Sequence, residues 1–269
     1  MSWEGAVQAG RTPLHVRRAG DGPPLLLVNG IGAALEMWRP FAGALAGREL
    51  IAFDLPGSGR SASHPGGLIR MPEFADLVAE LMDALGLDAP VDVLGYSMGG
   101  IVAQELAHRH PERVARLVLC ATSPGLPSVP PNPIAAWFML TPARYKSPWL
   151  ARAILPMIAG GRTARDPVAL EAQLGLRLRH APSTWGYAVQ LAALTGWSSH
   201  AWLAGLRQPT LVVHGDEDPL IPLLNARYLA HRIPRAALEV VRRAGHLMLY
   251  DEPERVAPPI AAFLDAAQT

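Results

Sequence analysis

The sequence predicts an α/β protein with a mostly parallel, doubly wound sheet and one helical insertion. Six short apolar runs have the length and composition of strands that are covered on both faces. Segments with the apolar spacing of helices separate them, and strand followed by helix implies right-handed crossovers between parallel strands. The alternation stops near residue 124 and resumes near residue 209. The strand runs are 25–28, 50–53, 91–94, 117–120, 211–213 and 238–241, and the helical segments are 35–46, 72–85, 97–110, 223–231 and 254–265.

The composition of the 269-residue chain is that of a protein with a large apolar core. Half of its residues are hydrophobic and 17% are charged, so one α/β domain with an insertion accounts for the length. The formal net charge is +1 and no basic run occurs, which argues against nucleic acid and an anionic membrane surface as partners. Residues 1–20 show no apolar leader and no stretch is long enough to span a bilayer. We therefore expect a cytoplasmic protein without a transmembrane segment.

Residues 124–208 form the predicted insertion, and residues 1–123 and 209–269 form the predicted core. The insertion is rich in proline, tryptophan and methionine and lacks strand patterns, which favours broken helices. Because it leaves the core after one strand and returns before the next, we expect it to cover the carboxyl edge of the sheet as a lid. The candidate substrate contacts in this lid are Trp137, Met157, Trp185 and Trp197. The alternative, expected for most large side chains of the insertion, is that they only pack on the core.

Residues 95–99, Gly-Tyr-Ser-Met-Gly, carry the most specific chemical signal. Glycines two positions before and after Ser97 fit a strand-to-helix turn that is too tight for side chains at those places. Such a turn lifts the serine hydroxyl out of the sheet. A strand pattern precedes the motif and a helical pattern follows it, so the required context is present on both sides. Ser97 is therefore the predicted nucleophile.

A serine hydroxyl becomes a useful nucleophile when a base accepts its proton and an acid orients that base. With a nucleophile of this type, the acid follows a late strand and the base follows the last one. His246 comes after the last predicted strand and is the predicted base. Three acids follow the preceding strand, of which Asp218 at the loop tip is favoured over Asp216 and Glu217. The neighbouring His214 fits either a supporting contact to the acid or a packed histidine at a strand end.

The loop after the first strongly apolar strand supplies the rest of the predicted site. Its sequence at residues 29–32 is Asn-Gly-Ile-Gly, where the glycines let the backbone turn and direct an amide toward the nucleophile. The backbone N–H groups of Ile31 and Met98 are the predicted oxyanion hole, the latter also favoured by its place at a helix N-terminus. The alternative interpretation of residues 29–32 is a plain glycine turn.

No pattern in the sequence predicts a cofactor or a metal ion. Residues 57–62, Gly-Ser-Gly-Arg-Ser-Ala, follow a strand and imitate a dinucleotide-binding loop. Residues 63–67 then continue as loop, whereas a dinucleotide site would open a helix there. Cys120 is the single cysteine, which excludes an internal disulfide and a cluster of thiolate ligands. We therefore expect a site that works with protein groups and water.

Through these motifs and their order, the sequence resembles the α/β-hydrolase superfamily over nearly its whole length. The motifs are residues 29–32, 54–61 and 95–99, the loop containing Asp218, and Gly245-His246. Within the superfamily the chain is most similar to the intracellular medium-chain poly(3-hydroxyalkanoate) depolymerases. That similarity is carried by residues 29–33, 35–36, 141–145, 196–199, 202–203, 208–212 and 218–222. The residues flanking the nucleophile differ, since Tyr96 and Met98 stand where those depolymerases have valine and tryptophan.

The resemblance implies the same three roles for Ser97, Asp218 and His246. It implies a serine carboxylic-ester hydrolase that acts through an acyl-enzyme on hydrophobic acyl or 3-hydroxyacyl esters, with a polyester granule among the substrates. The same three groups on this fold also serve lactone hydrolysis, hydrolysis of carbon–carbon bonds and cofactor-free perhydrolysis. Outside enzymes, the alternative is a receptor of this fold that binds an apolar ligand without turnover. A complete set of three catalytic residues argues against that alternative.

Overall fold

The computed structural model describes residues 2–140 and 145–266, and these residues form one eight-stranded sheet. The strands are β1 (Ser2–Ala9), β2 (Thr12–Ala19), β3 (Pro24–Val28), β4 (Glu49–Phe53), β5 (Val91–Tyr96), β6 (Val114–Cys120), β7 (Thr210–Gly215) and β8 (Ala236–Val241). Their order across the sheet is β1-β2-β4-β3-β5-β6-β7-β8. Six neighbouring strands are parallel, namely β4, β3, β5, β6, β7 and β8. The strands β1 and β2 form an antiparallel hairpin, and β2 pairs with β4 in antiparallel orientation.

Helices connect the strands and build the insertion. They are α1 (Arg39–Ala44), α2 (Met71–Ala84), α3 (Met98–Arg109), α4 (Pro133–Met139), α5 (Pro148–Ala159), α6 (Gly161–Arg165), α7 (Pro167–Arg179), α8 (Thr184–Leu194), α9 (Leu223–Arg232), α10 (Met248–Asp251) and α11 (Pro253–Asp265). In the part of the chain that the structure describes, no helix has both the length and the apolar character needed to cross a lipid bilayer.

Each face of the sheet has its own apolar core. On one face Phe74 of α2 and Leu106 of α3 belong to a buried cluster with Val93 of β5. On the other face Phe41 of α1 and Ile260 of α11 belong to a second buried cluster. This is the predicted doubly wound arrangement, and it brings the carboxyl ends of the parallel strands to one edge, where ligands bind in such sheets.

All six predicted strands are present, although β8 lies at the edge of the sheet and is not covered on both faces as expected. The N-terminal hairpin was not predicted. The alternation of buried Thr12, Leu14 and Val16 with more exposed residues marks β2 as a strand with one covered face. Its partner β1 is largely exposed and therefore has only a weak apolar pattern. The prediction looked for continuous apolar runs, which are typical of strands buried on both faces. The hairpin has a solvated face and therefore no such run.

The predicted helix over residues 35–46 is wrong in its extent. The structure has a 3₁₀ turn at Leu35–Trp38 followed by the short helix α1. Pro40 lies in the first turn of α1. Proline has no N–H to donate and its ring clashes with the carbonyl four residues earlier, so a regular helix begins at this point and does not run through it.

The insertion leaves the sheet after β6 and returns before β7, and its described part contains α4 to α8. Two backbone hydrogen bonds join its ends at the sheet. The N–H of Leu126 donates to the carbonyl of Trp197 and the N–H of Ser199 donates to the carbonyl of Pro124, both at 2.9 Å. The division into core and lid at residues 123 and 209 stays a prediction. Residues 141–144, part of one stretch of the resemblance, lie outside the described residues.

Candidate active site

Ser97 lies in a sharp turn between the end of β5 and the start of α3. Its backbone has φ 55° and ψ −121°, a strained conformation that a residue other than glycine adopts only where its surroundings enforce it. A Cβ on Gly99 would collide with the carbonyl oxygens of Val28 and Asn29. A Cβ on Gly95 would likewise collide with the first turn of α3. The glycines therefore permit the turn that holds the serine at the carboxyl edge of the sheet.

His246 lies in the loop between β8 and α10 and faces the serine. Its Nε2 is 3.1 Å from Ser97 Oγ, within hydrogen-bond distance. The N–H of His246 donates to the carbonyl of Ala159 at the end of α5, at 2.6 Å. The hydroxyl of Tyr96 donates to the carbonyl of His246 at 3.0 Å, and the two rings lie with centroids 5.3 Å apart. The His246 loop is thus held both by the insertion and by the residue before Ser97.

Asp218 is the acid that reaches His246. Its Oδ2 lies 2.7 Å from His246 Nδ1, and its side chain is fully buried. The other oxygen, Oδ1, accepts hydrogen bonds from the N–H groups of Leu220 at 2.9 Å and Ile221 at 2.8 Å. A proton on Nδ1 donated to Asp218 leaves Nε2 free to accept the serine proton, so this chain of hydrogen bonds can move that proton to the imidazole.

The two other acids of the same loop have different partners. Asp216 is exposed and accepts a hydrogen bond from the N–H of Arg243. Glu217 is also exposed and forms an ion pair with Arg165. The structure therefore brings Asp218, and neither of these acids, to the histidine.

His214 is buried directly behind Asp218. Its Nε2 donates to the carbonyl of Ile221 at 2.8 Å and is 3.6 Å from Asp218 Oδ2. Burial lowers the pKa of His214, against the opposing effect of the Asp218 charge. The imidazole is therefore neutral near pH 7, and it supports the acid loop through a backbone hydrogen bond rather than through charge.

The loop that follows β3 is held by two buried polar side chains. Asn29 Nδ2 donates to the carbonyl of Ala34 at 2.9 Å, and Asn29 Oδ1 accepts from the N–H of Gly30 at 3.0 Å. Asp54, at the end of β4, accepts from the N–H of Leu35 at 2.6 Å. Burial raises the pKa of Asp54 to about 6, although its backbone hydrogen bonds act in the opposite direction. Both side chains fix the course of the loop that carries Ile31.

Two backbone amides near Ser97 have no protein acceptor. Within residues 2–140 and 145–266, neither the N–H of Ile31 nor the N–H of Met98 donates a hydrogen bond. Ile31 lines the same cavity as Ser97, and Met98 is the first residue of α3. Unpaired amides at these two places are what the predicted oxyanion hole requires.

Ser97 and His246 open into a cavity between the sheet edge and the insertion. Its inner wall comes from residues 30–34 and from the loops that carry Leu220 and Leu247. Its outer wall comes from the insertion, and the apolar residues there include Met139, Leu155, Ile158, Leu174 and Leu176. A cavity with such walls suits a hydrophobic acyl chain.

The four predicted lid contacts do not line this cavity, which corrects that part of the sequence analysis. Trp137, Met157 and Trp185 are 69%, 52% and 55% exposed on the outside of the insertion. Trp197 is buried, and its indole N–H donates to Glu105 of α3 at 2.8 Å. These four side chains thus either pack on the core or face solvent, and the described part of the insertion lines the cavity mainly with aliphatic side chains, Met139 and Tyr145.

The wall residues were missed for two different reasons. On α5 the buried positions 151, 154, 155 and 158 repeat with helical spacing, so this face could have been predicted as the inner one. Met157 lies off that face, which explains its exposure. Arg177 of α7 also lines the cavity. No sequence pattern pointed to it, because a single arginine in a helix is usually a solvated residue.

The family follows from a comparison with known proteins. A family model described as alpha/beta hydrolase fold matches residues 23–253. The chain belongs to the α/β-hydrolase family. The matched range runs from the start of β3 into α11, and it therefore includes the loops that carry Ser97, Asp218 and His246.

Individual relatives of this α/β hydrolase carry different activities in their names. It is 47% identical to a poly(3-hydroxyalkanoate) depolymerase of Ectopseudomonas oleovorans over 90% of this chain and 84% of that protein. It is 34% identical to a 2-hydroxymuconate semialdehyde hydrolase of Pseudomonas putida over 96% of this chain and 92% of that protein. Among solved structures, a thermophilic esterase from Thermogutta terrifontis has a TM-score of 0.81 and 30% identity, with 98% of both chains covered.

Proposed function

We propose that this α/β hydrolase is a serine carboxylic-ester hydrolase that acts through an acyl-enzyme on hydrophobic acyl or 3-hydroxyacyl esters. The observation that carries the proposal is the hydrogen-bonded chain from Ser97 through His246 to Asp218. This chain opens into a cavity with mainly apolar walls. The arrangement supplies a nucleophile, a base and an orienting acid where an apolar substrate is bound.

In the first half of the proposed reaction, Ser97 Oγ bonds to the ester carbonyl carbon while His246 Nε2 accepts the serine proton. The N–H groups of Ile31 and Met98 donate to the oxyanion. The bond to the alkoxy oxygen then breaks, and the alcohol leaves with the proton from His246. In the second half, water repeats these steps on the acyl-enzyme and releases the acid. One ester and one water thus become one acid and one alcohol.

The similarity to the depolymerase of Ectopseudomonas oleovorans supports a polyester of 3-hydroxy acids as the substrate class. The aliphatic outer wall of the cavity fits the alkyl side chains of such a polyester. A cytoplasmic location, expected from the resemblance to intracellular depolymerases, is part of the proposal. Hydrolysis of a carbon–carbon bond, an alternative already open from the sequence, is the second candidate, and the relative named as a 2-hydroxymuconate semialdehyde hydrolase supports testing that compound as a substrate.

Exposed apolar side chains on the insertion support a polymer surface as the substrate. Nine of the twelve large apolar side chains that are exposed in the described residues lie between positions 124 and 208. The most exposed of them are Trp149 at 77%, Val168 at 76% and Trp137 at 69%. Such a concentration is typical of a surface that contacts an apolar partner. We assign it to contact with a solid polyester.

The proposed function is tested by Ser97→Ala with p-nitrophenyl octanoate as substrate. We expect the rate of ester hydrolysis to fall by about a thousandfold or more, because the nucleophile is removed while binding and the oxyanion donors remain. Ser63→Ala is the matched control, since Ser63 is an exposed serine in a loop.

The measurement includes the thermal midpoint of each variant, so that loss of activity is not confused with unfolding. Full activity in folded Ser97→Ala would remove this residue from the reaction. A protein that hydrolyses 2-hydroxymuconate semialdehyde faster than any ester would instead favour the carbon–carbon candidate. Mass spectrometry of a quenched reaction should show the acyl group on the peptide that contains Ser97.

A further inference from the structure

Arg177 places a permanent positive charge in the cavity beside the candidate catalytic groups. It lies on α7, and among the described residues that line the cavity it is the one with a permanently charged side chain. Leu174, one turn earlier on the same helix, lines the cavity as well. The charge therefore faces an otherwise mainly apolar space, where an unpaired ion is unfavourable.

The guanidinium of Arg177 has no carboxylate partner within the described part of the chain. Its Nη1 contacts the thioether sulfur of Met37 at 3.0 Å, and thioether sulfur is a weak acceptor. Two buried carboxylates of this region bind other groups. Glu36 pairs with Arg60 at 2.5 Å, and Asp251 accepts from Gln173 at 2.9 Å.

A planar guanidinium binds a carboxylate through two parallel hydrogen bonds, and the bond is strongest where water is excluded. Among the described residues, Asp251 feels the charge of Arg177 but no carboxylate forms an ion pair with it, so a substrate carboxylate would supply the missing contact. The proposed polyester has such a group at one end of every chain and oligomer. In its last unit the carboxylate is separated from the ester oxygen by only two carbon atoms.

We infer that Arg177 is a specificity residue that binds the free carboxylate at the end of a 3-hydroxyacyl oligomer. The inference rests on the proposed function, because it names the end of the substrate that enters the cavity. Ester hydrolysis near that end releases one 3-hydroxy acid, whose carboxylate is the one bound by Arg177. It also creates a new carboxylate on the remaining chain, which can bind in the next cycle.

The experiment compares two substrates that share the same ester bond. One is the dimer of 3-hydroxyoctanoate with a free carboxylate, and the other is the same dimer capped as its primary amide. We expect the unmodified enzyme to prefer the acid dimer in kcat/KM by about tenfold to a hundredfold, the range for a hydrogen bond to a charged group. The amide has nearly the same shape and no charge, so the ratio isolates the carboxylate.

Arg177→Gln should remove this preference. We expect kcat/KM for the acid dimer to fall by about tenfold to a hundredfold, while the value for the amide dimer changes by less than about threefold. Arg177→Lys keeps the charge without the planar fork and should retain part of the preference. Arg179→Gln is the matched control, because Arg179 is exposed at the end of the same helix.

Each other outcome contradicts the inference. Equal rates for the two dimers in the unmodified enzyme would show that the carboxylate is not recognised. An Arg177→Gln variant that loses stability but keeps the substrate ratio would give Arg177 a structural role, such as offsetting the charge of Asp251.

Hydrolysis of p-nitrophenyl octanoate reports the proposed function separately. If the unmodified enzyme does not hydrolyse this ester, the proposed function is contradicted, whereas the ratio of the two dimers tests the carboxylate site alone.

Discussion

Asp54 is a buried carboxylate that holds a loop of the candidate site without lining its cavity. It is fully buried at the end of β4, and its two oxygens accept hydrogen bonds from the N–H groups of Leu35 and Arg60. Burial raises its pKa from 3.8 to about 6. Since the folded value lies above the unfolded one, the stability contributed by the protonated group is fully present below about pH 4 and is lost as the pH rises through about 6.

Asp54→Asn tests this account, because asparagine keeps one acceptor oxygen and does not titrate. We compare the free energy of unfolding of the unmodified protein with that of the variant at the same pH. The difference should shift by about 2 kcal/mol in favour of the unmodified protein between about pH 7 and about pH 4. Urea titrations of both proteins measure it, and the titrations of other groups cancel. A constant difference, or one that falls on acidification, would contradict the raised pKa.

Sequence patterns predicted the positions of some site residues and missed others. Ser97 and Asp218 follow the buried strands β5 and β7, and His246 follows the partly exposed edge strand β8. All three strand ends are recognisable because apolar runs stop there. The direction of Trp137 on the short helix α4 depends on which face packs, and the composition of a segment does not contain that information. The pairing of Tyr96 with the His246 backbone is likewise a contact between positions far apart in the sequence.

At the scale of elements, the turn between β5 and α3 depends on close approach of two backbones. Gly99 belongs to the first turn of α3 and lies against the end of β3, where no side chain fits. The same contact brings the loop that carries Ile31 beside Ser97. Packing of α3 on β3 and the shape of the candidate oxyanion hole are therefore coupled.

Gly99→Ala should lower both stability and activity. We expect a loss of about 1–3 kcal/mol in the free energy of unfolding, because the added methyl group must displace backbone atoms. Ester hydrolysis should fall as well, since the turn moves. Gly43→Ala in α1 is the matched control, because nothing lies within 4 Å of its added Cβ. There we expect a gain of about 0.5–1 kcal/mol from helix propensity. Chemical denaturation measures the free energy of unfolding of both variants. Equal values would contradict the close backbone contact between α3 and β3 at Gly99.

The elements that sequence reasoning described best are strands with an apolar run, which are buried on both faces except for the edge strand β8. The strands β3 to β8 have apolar runs, and all six were predicted. The hairpin β1–β2 has one solvated face, and α1 is interrupted by Pro40, so neither has the uniform pattern on which the prediction depended. The insertion could be predicted as helical, and the apolar spacing of α5 indicates its inner face, but composition alone did not separate the inner and outer faces of the other helices.

At the scale of the whole molecule, the distribution of exposed apolar side chains is uneven. Residues 124–208 carry most of them in the described chain, whereas Trp3 on β1 is one of few elsewhere. The proposed contact with a solid polyester would use these exposed side chains. Small dissolved esters would then need only the cavity, but a polymer particle would need both.

The double variant Trp137→Ser and Trp149→Ser separates these two requirements. We expect hydrolysis of a medium-chain polyester emulsion to fall by about tenfold, since two large apolar side chains are removed from the contact. Hydrolysis of p-nitrophenyl octanoate should stay within about twofold. Trp3→Ser is the matched control, because this exposed tryptophan lies outside the insertion.

Parallel loss of both activities would show that the two tryptophans support the fold or the cavity. A change in elution volume on gel filtration, without a change in polymer hydrolysis, would assign the exposed face to contact between copies of the chain. Either result would contradict the assignment of this face to a polyester.

The two hydrogen bonds that join the ends of the insertion, between Leu126 and Trp197 and between Pro124 and Ser199, make it a cassette whose entry and exit meet beside the sheet. Further contacts, such as that of Trp197 with Glu105, also hold it to the core. The proposed nucleophile, acid and base, Ser97, Asp218 and His246, all lie outside that cassette. Exchange of the cassette during evolution or by design would replace the outer cavity wall and the exposed face in one event. Selectivity can then diverge rapidly while the hydrolytic chemistry is inherited unchanged, provided that the new cassette still offers a carbonyl to the His246 loop.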